Sequence, residues 1–267
     1  MNMQLPDAVL AILGGAPFEQ MPLGTETTNK LWRLNHAWVW RQFCPAPGVD
    51  RQREAQFMQA GAHLSWMPPV HLWHAQGMLM PWLEGKSLGT LLPAHRERLL
   101  NCCLELWQQP IEGLPRWNYA ALVADYAAQA GAAHAPLAEH LLQQVQQWPQ
   151  ATPCWVHHDL HAGNLLWHAD GLWVLDWEFA GLGNPWLDAV CLDRWVHWQP
   201  EEWAQLDSAL APWQWLGAEA YADWMLGLER LWFAAQSGPH STFGGAALCQ
   251  PSSEANNNSA PNLDPTE

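Results

Sequence analysis

Lysine is nearly missing from this 267-residue chain: Lys30 and Lys86 are the only two among 11 basic residues, against 26 acidic ones, for a formal charge of −15. A nucleic-acid surface neutralises phosphates with Lys and Arg, so this balance excludes one. Charged residues of both signs make up 14% of the chain and hydrophobic residues 49%, which excludes wholly disordered, coiled-coil and collagen-like readings. No apolar run approaches the ~18 residues of a membrane span. Met1 to Leu13 lacks the basic start and long apolar stretch of a signal peptide. The six cysteines, at 44, 102, 103, 154, 191 and 249, have no CxxC spacing, so reduced core thiols and a cytoplasmic setting are expected. No repeat of fixed period appears, which removes solenoids and propellers. What the chain has in excess is tryptophan, 21 residues of it. Aromatic faces and a negative balance both attract positive charge, so a small cationic partner is expected.

The length suits two lobes around a substantial core. In the first eighty residues, Pro6–Leu13 reads as a short helix. Leu31–Leu34 and Trp38–Phe43 read as a hairpin turned at Asn35-His36, Arg51–Gly61 as a helix, and Val70–Trp73 with Met78–Trp82 as a second strand pair. From Ser87 onward helical spacing dominates, over Ala94–Trp107, Tyr119–Gln129, Leu137–Trp148, Trp186–Trp198, Glu201–Leu210 and Ala218–Gln236. A small β insertion, Asn164–Trp167 and Leu172–Leu175 turned by Asp170-Gly171, interrupts it. The expected architecture is α+β, with a strand-rich N-terminal lobe over 1–82 and a helical lobe over 83–238. The tail, 239–267, is rich in Ser, Asn, Pro and Gly and is expected to be disordered. A ligand would sit in the cleft between the lobes.

The most specific segment is Val156-His157-His158-Asp159-Leu160-His161-Ala162-Gly163-Asn164, followed by Leu175-Asp176-Trp177-Glu178. Its frame is H-x-D-x-x-x-x-N with an Asp twelve residues further on, at the end of an apolar run. Phosphoryl transfer from ATP needs a carboxylate to orient an acceptor hydroxyl and take its proton, and Asp159 on a turn supplies one. It also needs oxygen ligands for Mg²⁺, which Asn164 and Asp176 offer across one turn. Two other readings of the same residues stay open. Histidines 157, 158, 161 and 168 with the aspartates could form a zinc hydrolase site, although no HExxH pair is present. A non-catalytic nucleotide-binding sensor is the other, since there is no G-x-G-x-x-G loop.

The segment from Val156 to Gly181 resembles the aminoglycoside phosphotransferase and choline kinase superfamily, and within it the bacterial thiamine-phosphorylating branch. A weaker likeness in lobe order runs from about Met21 to Gln236. The resemblance implies a bilobal protein-kinase-like fold and transfer of the ATP γ-phosphate to a small alcohol. It makes Asp159 the catalytic base and His157 a residue bracing the loop, with Asn164 and Asp176 as metal ligands and Glu178 holding a metal-bound water. It gives Asp188 a mainly structural role at the start of the next helix.

On the nucleotide side, the resemblance points to Leu23–Asn29, with Gly24 and Thr25, as the phosphate loop. Arg41 becomes the basic residue on the third strand, because neither lysine is placed for it, and Glu54 its partner on the helix. Backbone groups of Met80 and Trp82 would bind adenine at the crossover. For the acceptor, Trp177, Asp188, Asp193 and Trp195 are the candidates, from a region where Trp is dense and carboxylates are near. The implied partners are ATP, Mg²⁺ and a cationic alcohol, with thiamine ahead of choline, ethanolamine and aminoglycosides.

Overall fold

The computed structural model describes residues 4–15, 20–23, 29–87, 92–169 and 171–237. Gly24, Thr25 and the 239–267 tail lie outside them, as does Asp170. The first lobe runs α1 (Asp7–Ile12), β1 (Gln20–Pro22), β2 (Asn29–Leu34), β3 (Trp38–Phe43), α2 (Arg51–Ala60), β4 (Leu72–His74) and β5 (Gly77–Pro81). The hairpin between β2 and β3 forms where the sequence predicts it. Asn35 and His36 both adopt left-handed backbone, φ 48° and 59°, as a tight turn matched to strand twist requires. The five strands order as β1-β2-β3-β5-β4, all antiparallel. One face buries Leu34, Trp40 and Leu79 against Leu5 and Val9 of the α1 region, while the alternating positions Arg41 and Met78 face the cleft. Asp50 caps α2, accepting from the amides of Gln52 (2.9 Å) and Arg53 (3.1 Å), a device worth about 1 kcal/mol.

The second part runs β6 (Lys86–Ser87), α3 (Pro93–Trp107), α4 (Tyr119–Ala130), α5 (Ala135–Gln146), β7 (Cys154–Val156), β8 (Leu165–His168), β9 (Gly171–Val174), β10 (Gly181–Gly183), α6 (Trp186–Val196), α7 (Pro200–Leu210) and α8 (Ala218–Ser237). The β insertion gains one neighbour, and a separate two-stranded sheet forms beside it, neither revealed by the sequence pattern. β6 pairs with β8, and β10 pairs with β7, each over two or three residues. Such short strands carry too little alternation to be read from a pattern. The main core crosses from one lobe to the other: Phe57 packs edge-on against Trp155, and Trp66 stacks on Trp177 at 5.6 Å. Among the described cysteines all are free; Cys102, Cys103 and Cys191 are buried, and Cys44 and Cys154 only partly so. No described helix is long and apolar enough to cross a membrane.

Two glycines of β10 set the shape of the cleft wall. A Cβ at Gly181 would run into the Trp117 ring, and one at Gly183 into the Tyr119 hydroxyl. Only glycine lets these two rings lie flat against the strand.

Candidate active site

The loop after β7 is held from below by Asp188 at the start of α6. Its carboxylate accepts from the amides of His157 and His158, both at 2.9 Å. Burial pushes the Asp188 carboxyl up to about 7, against the pull of those two hydrogen bonds. His157 is buried; its Nε2 donates to the Leu175 carbonyl (2.9 Å) and its Nδ1 accepts from the Asp159 amide (3.3 Å). Burial drives its pKa down to about 4, so it is neutral, as one donating and one accepting nitrogen require. His158 adopts left-handed backbone, φ 66°. Its Nε2 accepts from the Tyr119 hydroxyl (2.7 Å), which itself accepts from the Asn184 amide (2.8 Å).

This bracing presents Asp159 to the cleft with its side chain 37% exposed. Asn164 turns its Nδ2 to both the Asp159 carbonyl (2.9 Å) and Oδ2 (3.1 Å), so the opposite side of its amide carries the acceptor oxygen. His161 Nε2 lies 3.6 Å from Asp159 Oδ2. Burial opposes its charge, yet the adjacent Asp159 carboxylate raises its pKa overall.

Beyond β9, Asp176 is also in the left-handed region, φ 63°, a conformation that favours glycine and that a non-glycine residue holds at a cost of about 1 kcal/mol or more. That turn aims Asp176 and Glu178 back toward β3. There the buried Arg41 guanidinium pairs with Glu54, with Asp176 and with Glu178, the last at 2.8 Å. Arg41 is held firmly protonated: the three carboxylates outweigh its burial. Burial, with the charges of Glu178, Asp159 and Glu54, pushes the Asp176 carboxyl above the usual range, while Arg41 pulls the other way.

These groups line one cavity of about 1260 Å³. Leu31, Val39, Met78, Met80, Pro81 and Trp82 enclose one end; Trp117, Tyr119, Tyr126, Trp224, Trp232 and Glu229 enclose the other; Asp159, Asn164, Asp176 and Arg41 lie between. The first end is apolar and flat-walled. The second is aromatic, and its carboxylate Glu229 pairs with Arg194 at 3.2 Å.

Several expectations need correction. The Trp82 amide donates to the Ala37 carbonyl at 2.7 Å, in the register that opposes Val39 to Met80. Residues two apart on a strand share a side, so Met80 also turns its peptide groups to β3; neither they nor the Trp82 amide can bind a base, although both residues line the cavity. The Pro81 carbonyl faces away from β3 instead. Trp177 is not at the acceptor end: it is fully buried, donates to the Val174 carbonyl (2.7 Å) and packs between Trp66 and His157. Asp188 is occupied with the loop amides, and Asp193 accepts from the Trp198 amide (2.8 Å) at the end of α6. Of the four acceptor candidates only Trp195, half exposed, lines the cavity.

Two residues that sequence reasoning passed over stand in the charged cluster. Arg51 donates to Glu54 (2.8 Å), to Glu178 (3.0 Å) and to the Asn29 side-chain carbonyl (2.8 Å); Asn29 donates to Glu178 (2.8 Å). The three-residue spacing of Arg51 and Glu54 on one helix was the available signal. The aromatic wall from Trp117 and Tyr119 had none, because its place depends on β10.

Asn164 and Asp176 offer oxygen donors of the kind a hard cation takes, and Mg²⁺ commonly uses one or two such groups beside phosphate oxygens. Zinc chemistry fits poorly. The histidines go to separate partners, and among the described residues no group of three or more His, Cys, Asp or Glu side chains could hold a metal ion.

Comparison with known proteins places this geometry. The model of the Phosphotransferase enzyme family matches residues 19–220. Thiamine kinase from Shigella boydii serotype 4 (strain Sb227) is 30% identical over 177 residues, which is 62% of this chain and 62% of that protein. The chain thus spans about 62% of the length of the curated relatives it matches. Choline kinase LicA from Streptococcus pneumoniae superposes with a TM-score of 0.68 at 14% identity, over 89% of this chain and 92% of that one. A choline/ethanolamine kinase family protein from Mesorhizobium loti gives 0.64 at 19% identity, over 86% of each. The expected α+β kinase-like fold, a strand-rich sheet followed by a helical part, is the one present.

Proposed function

This chain belongs to the Phosphotransferase enzyme family, and on that premise we propose that it is an ATP- and Mg²⁺-dependent small-molecule kinase whose acceptor is a cationic alcohol, thiamine first. The observation that carries the reading is the meeting of Asp159, Asn164, Asp176 and Arg41, from three separate segments, in the middle of one cavity with an apolar slot on one side and an aromatic chamber on the other.

Asp159 is the base. Its carboxylate is accessible, is steadied by Asn164, and lies where an acceptor hydroxyl entering from the aromatic side would meet it. It orients that hydroxyl and accepts its proton as the oxygen bonds to phosphorus. His157 and Asp188 do not touch substrate; they fix the loop that carries Asp159. Asn164 and Asp176 would hold Mg²⁺, which when bound offsets phosphate charge. Arg41, fixed by Glu54, turns its guanidinium to the phosphates, where a fork of N–H groups binds oxygens in pairs. The adenine ring fits between Val39, Met78 and Met80, with the Pro81 carbonyl as the acceptor for its amino group.

The acceptor end favours a single delocalised cation over a polyammonium sugar. Five rings and the Glu229 carboxylate line it, with Trp224 and Tyr126 almost wholly buried and one face of Trp117 under the Arg53 guanidinium at 3.7 Å, and that carboxylate is shared with Arg194. Several ammonium groups would leave most of their charge unpaired there, whereas a thiazolium or quaternary ammonium needs mainly ring faces. A screen of ATP consumption with Mg²⁺ over thiamine, choline, ethanolamine, homoserine and kanamycin tests this. Thiamine is expected to give the highest kcat/KM. Consumption that follows kanamycin and ignores thiamine would reverse the acceptor assignment; none with any acceptor would favour the sensor reading.

A further inference from the structure

Arg51 opens α2, and there an ordinary i,i+3 pair with Glu54 would be worth a few tenths of a kcal/mol. Its surroundings are not ordinary. One nitrogen reaches Glu54 Oε2 and Glu178 Oε2, at 2.8 and 3.0 Å; the other reaches the Asn29 side-chain oxygen and the Cys44 carbonyl, at 2.8 and 3.3 Å. The guanidinium also lies 4.4 Å from the Phe43 ring centroid, so its plane is set by a ring face. Four segments meet on this side chain: the start of β2, the end of β3 with its following loop, the first turn of α2, and the turn after β9.

The charges explain why a second guanidinium is needed. Glu54 and Glu178 are buried, and Asp176 stands beside them. Arg41 alone would face three carboxylates. With Arg51 present, Glu178 Oε2 accepts from Arg41 (2.8 Å), Arg51 (3.0 Å) and Asn29 (2.8 Å), and Glu54 is bonded by both arginines. Two positive charges then face two buried glutamates and Asp176, so the cluster keeps one net negative charge for a cation, even with Asp176 Oδ1 bonded to Arg41. Asn29 adds a mechanical link, because it begins the strand that follows the expected phosphate loop, Leu23 to Asn29.

Resting on the nucleotide-site reading above, we propose that Arg51 is a positioning residue for the phosphate–cation end. With Asn29 it clamps Glu178 and Glu54, so that Arg41 is the one guanidinium Asp176 shares and the rest of its carboxylate can serve the cation, and so couples cation binding to nucleotide binding. The role requires the forked guanidinium, since a lysine ammonium cannot reach Glu54, Glu178, Asn29 and the Cys44 carbonyl together.

The test is calorimetric titration of ADP into the full chain, with and without Mg²⁺, which gives the factor by which Mg²⁺ tightens ADP. Arg51→Met is expected to cut that factor tenfold or more while ADP affinity without Mg²⁺ changes less than threefold. Arg51→Lys should not restore it. A merely structural residue would lower Tm and leave the factor alone. An unchanged factor in Arg51→Met, or full rescue by Arg51→Lys, would overturn the proposal. Asn29→Ala keeps both charges and removes two of the clamp's hydrogen bonds; it should lower the factor about threefold, and a wild-type factor there counts against the clamp even if Arg51→Met fails to fold. Failure of the wild-type chain to bind ADP under either condition would instead refute the nucleotide site itself, and the inference with it.

Discussion

The phosphate end of the cleft and the acceptor end are held in shape by different forces. At the first, Arg41, Arg51, Glu54, Asp176 and Glu178 form a network in which each group is fixed by charged hydrogen bonds from other segments. Geometry there is tight, and a lost partner leaves a buried charge. At the second, Trp117, Tyr119, Trp148, Tyr221 and Trp224 pack ring against ring at 4.8 to 6.4 Å. Ring packing is forgiving of chemistry and strict about volume. On the function proposed above, the first end suits one invariant reactant, a triphosphate, and the second is where a related chain could change acceptors by repacking.

That contrast can be broken most sharply at the base. Asp159→Asn should lower kcat by about 10²–10⁴ and leave ADP affinity within about twofold, since Asp159 belongs to the chemistry and not to the arginine network; retained turnover would remove it from that role. At the phosphate end, Arg41→Met leaves Glu54 and Glu178 buried with only Arg51 to balance them. A loss of about 3–5 kcal/mol in unfolding stability is expected, readable by urea titration, together with weakened ADP binding. A stability within 1 kcal/mol of wild type would mean that the network is not the structural hub described above.

At the aromatic end the expected signature is different. Trp117→Ala should raise the KM for thiamine about tenfold with kcat changed little, as for a ring that binds ground state and transition state alike. A fall in kcat with unchanged KM would erase the distinction between the two ends.

The last effect is a pH dependence at the loop that joins them. His157 has its pKa depressed by burial to about 4, below the unfolded value of about 6.5. Between those values the unfolded chain binds a proton that the folded chain does not. Stability from this residue is therefore present above about pH 6.5 and lost as pH falls toward 4, up to about 3 kcal/mol. Thermal unfolding of wild type and His157→Gln should converge as the pH is lowered from 7 to 4.5. A gap that stays constant would show that His157 is not held neutral by its burial.

Much of this was legible along the chain. The Asn35-His36 turn and the α2 helix follow from local rules, and the Arg41–Glu54 pair, thirteen residues apart, from the family resemblance. The acceptor end was not. Trp177, adjacent to the metal turn in sequence, points into the core, and Asp193 caps a helix end, whereas Trp117 and Tyr119 reach the cleft only because Gly181 and Gly183 let them. Which face a tryptophan presents is decided by packing against segments distant in sequence, and 21 of them share one pattern of apolar spacing.

By itself the sequence pointed to the chemistry proposed above: an H-x-D-x-x-x-x-N frame with a following D-x-E sets the proposed base and oxygen ligands at short spacing, which leaves little freedom in how they meet. Only the tertiary structure decided what surrounds them. The left-handed turns at His158 and Asp176, the second guanidinium from Arg51, the direction of the Pro81 carbonyl and the ring-lined chamber all depend on contacts between residues tens of positions apart or more, or on the register of a sheet. Local spacing specifies which groups can react, and long-range packing specifies the charge they carry and the molecule they meet.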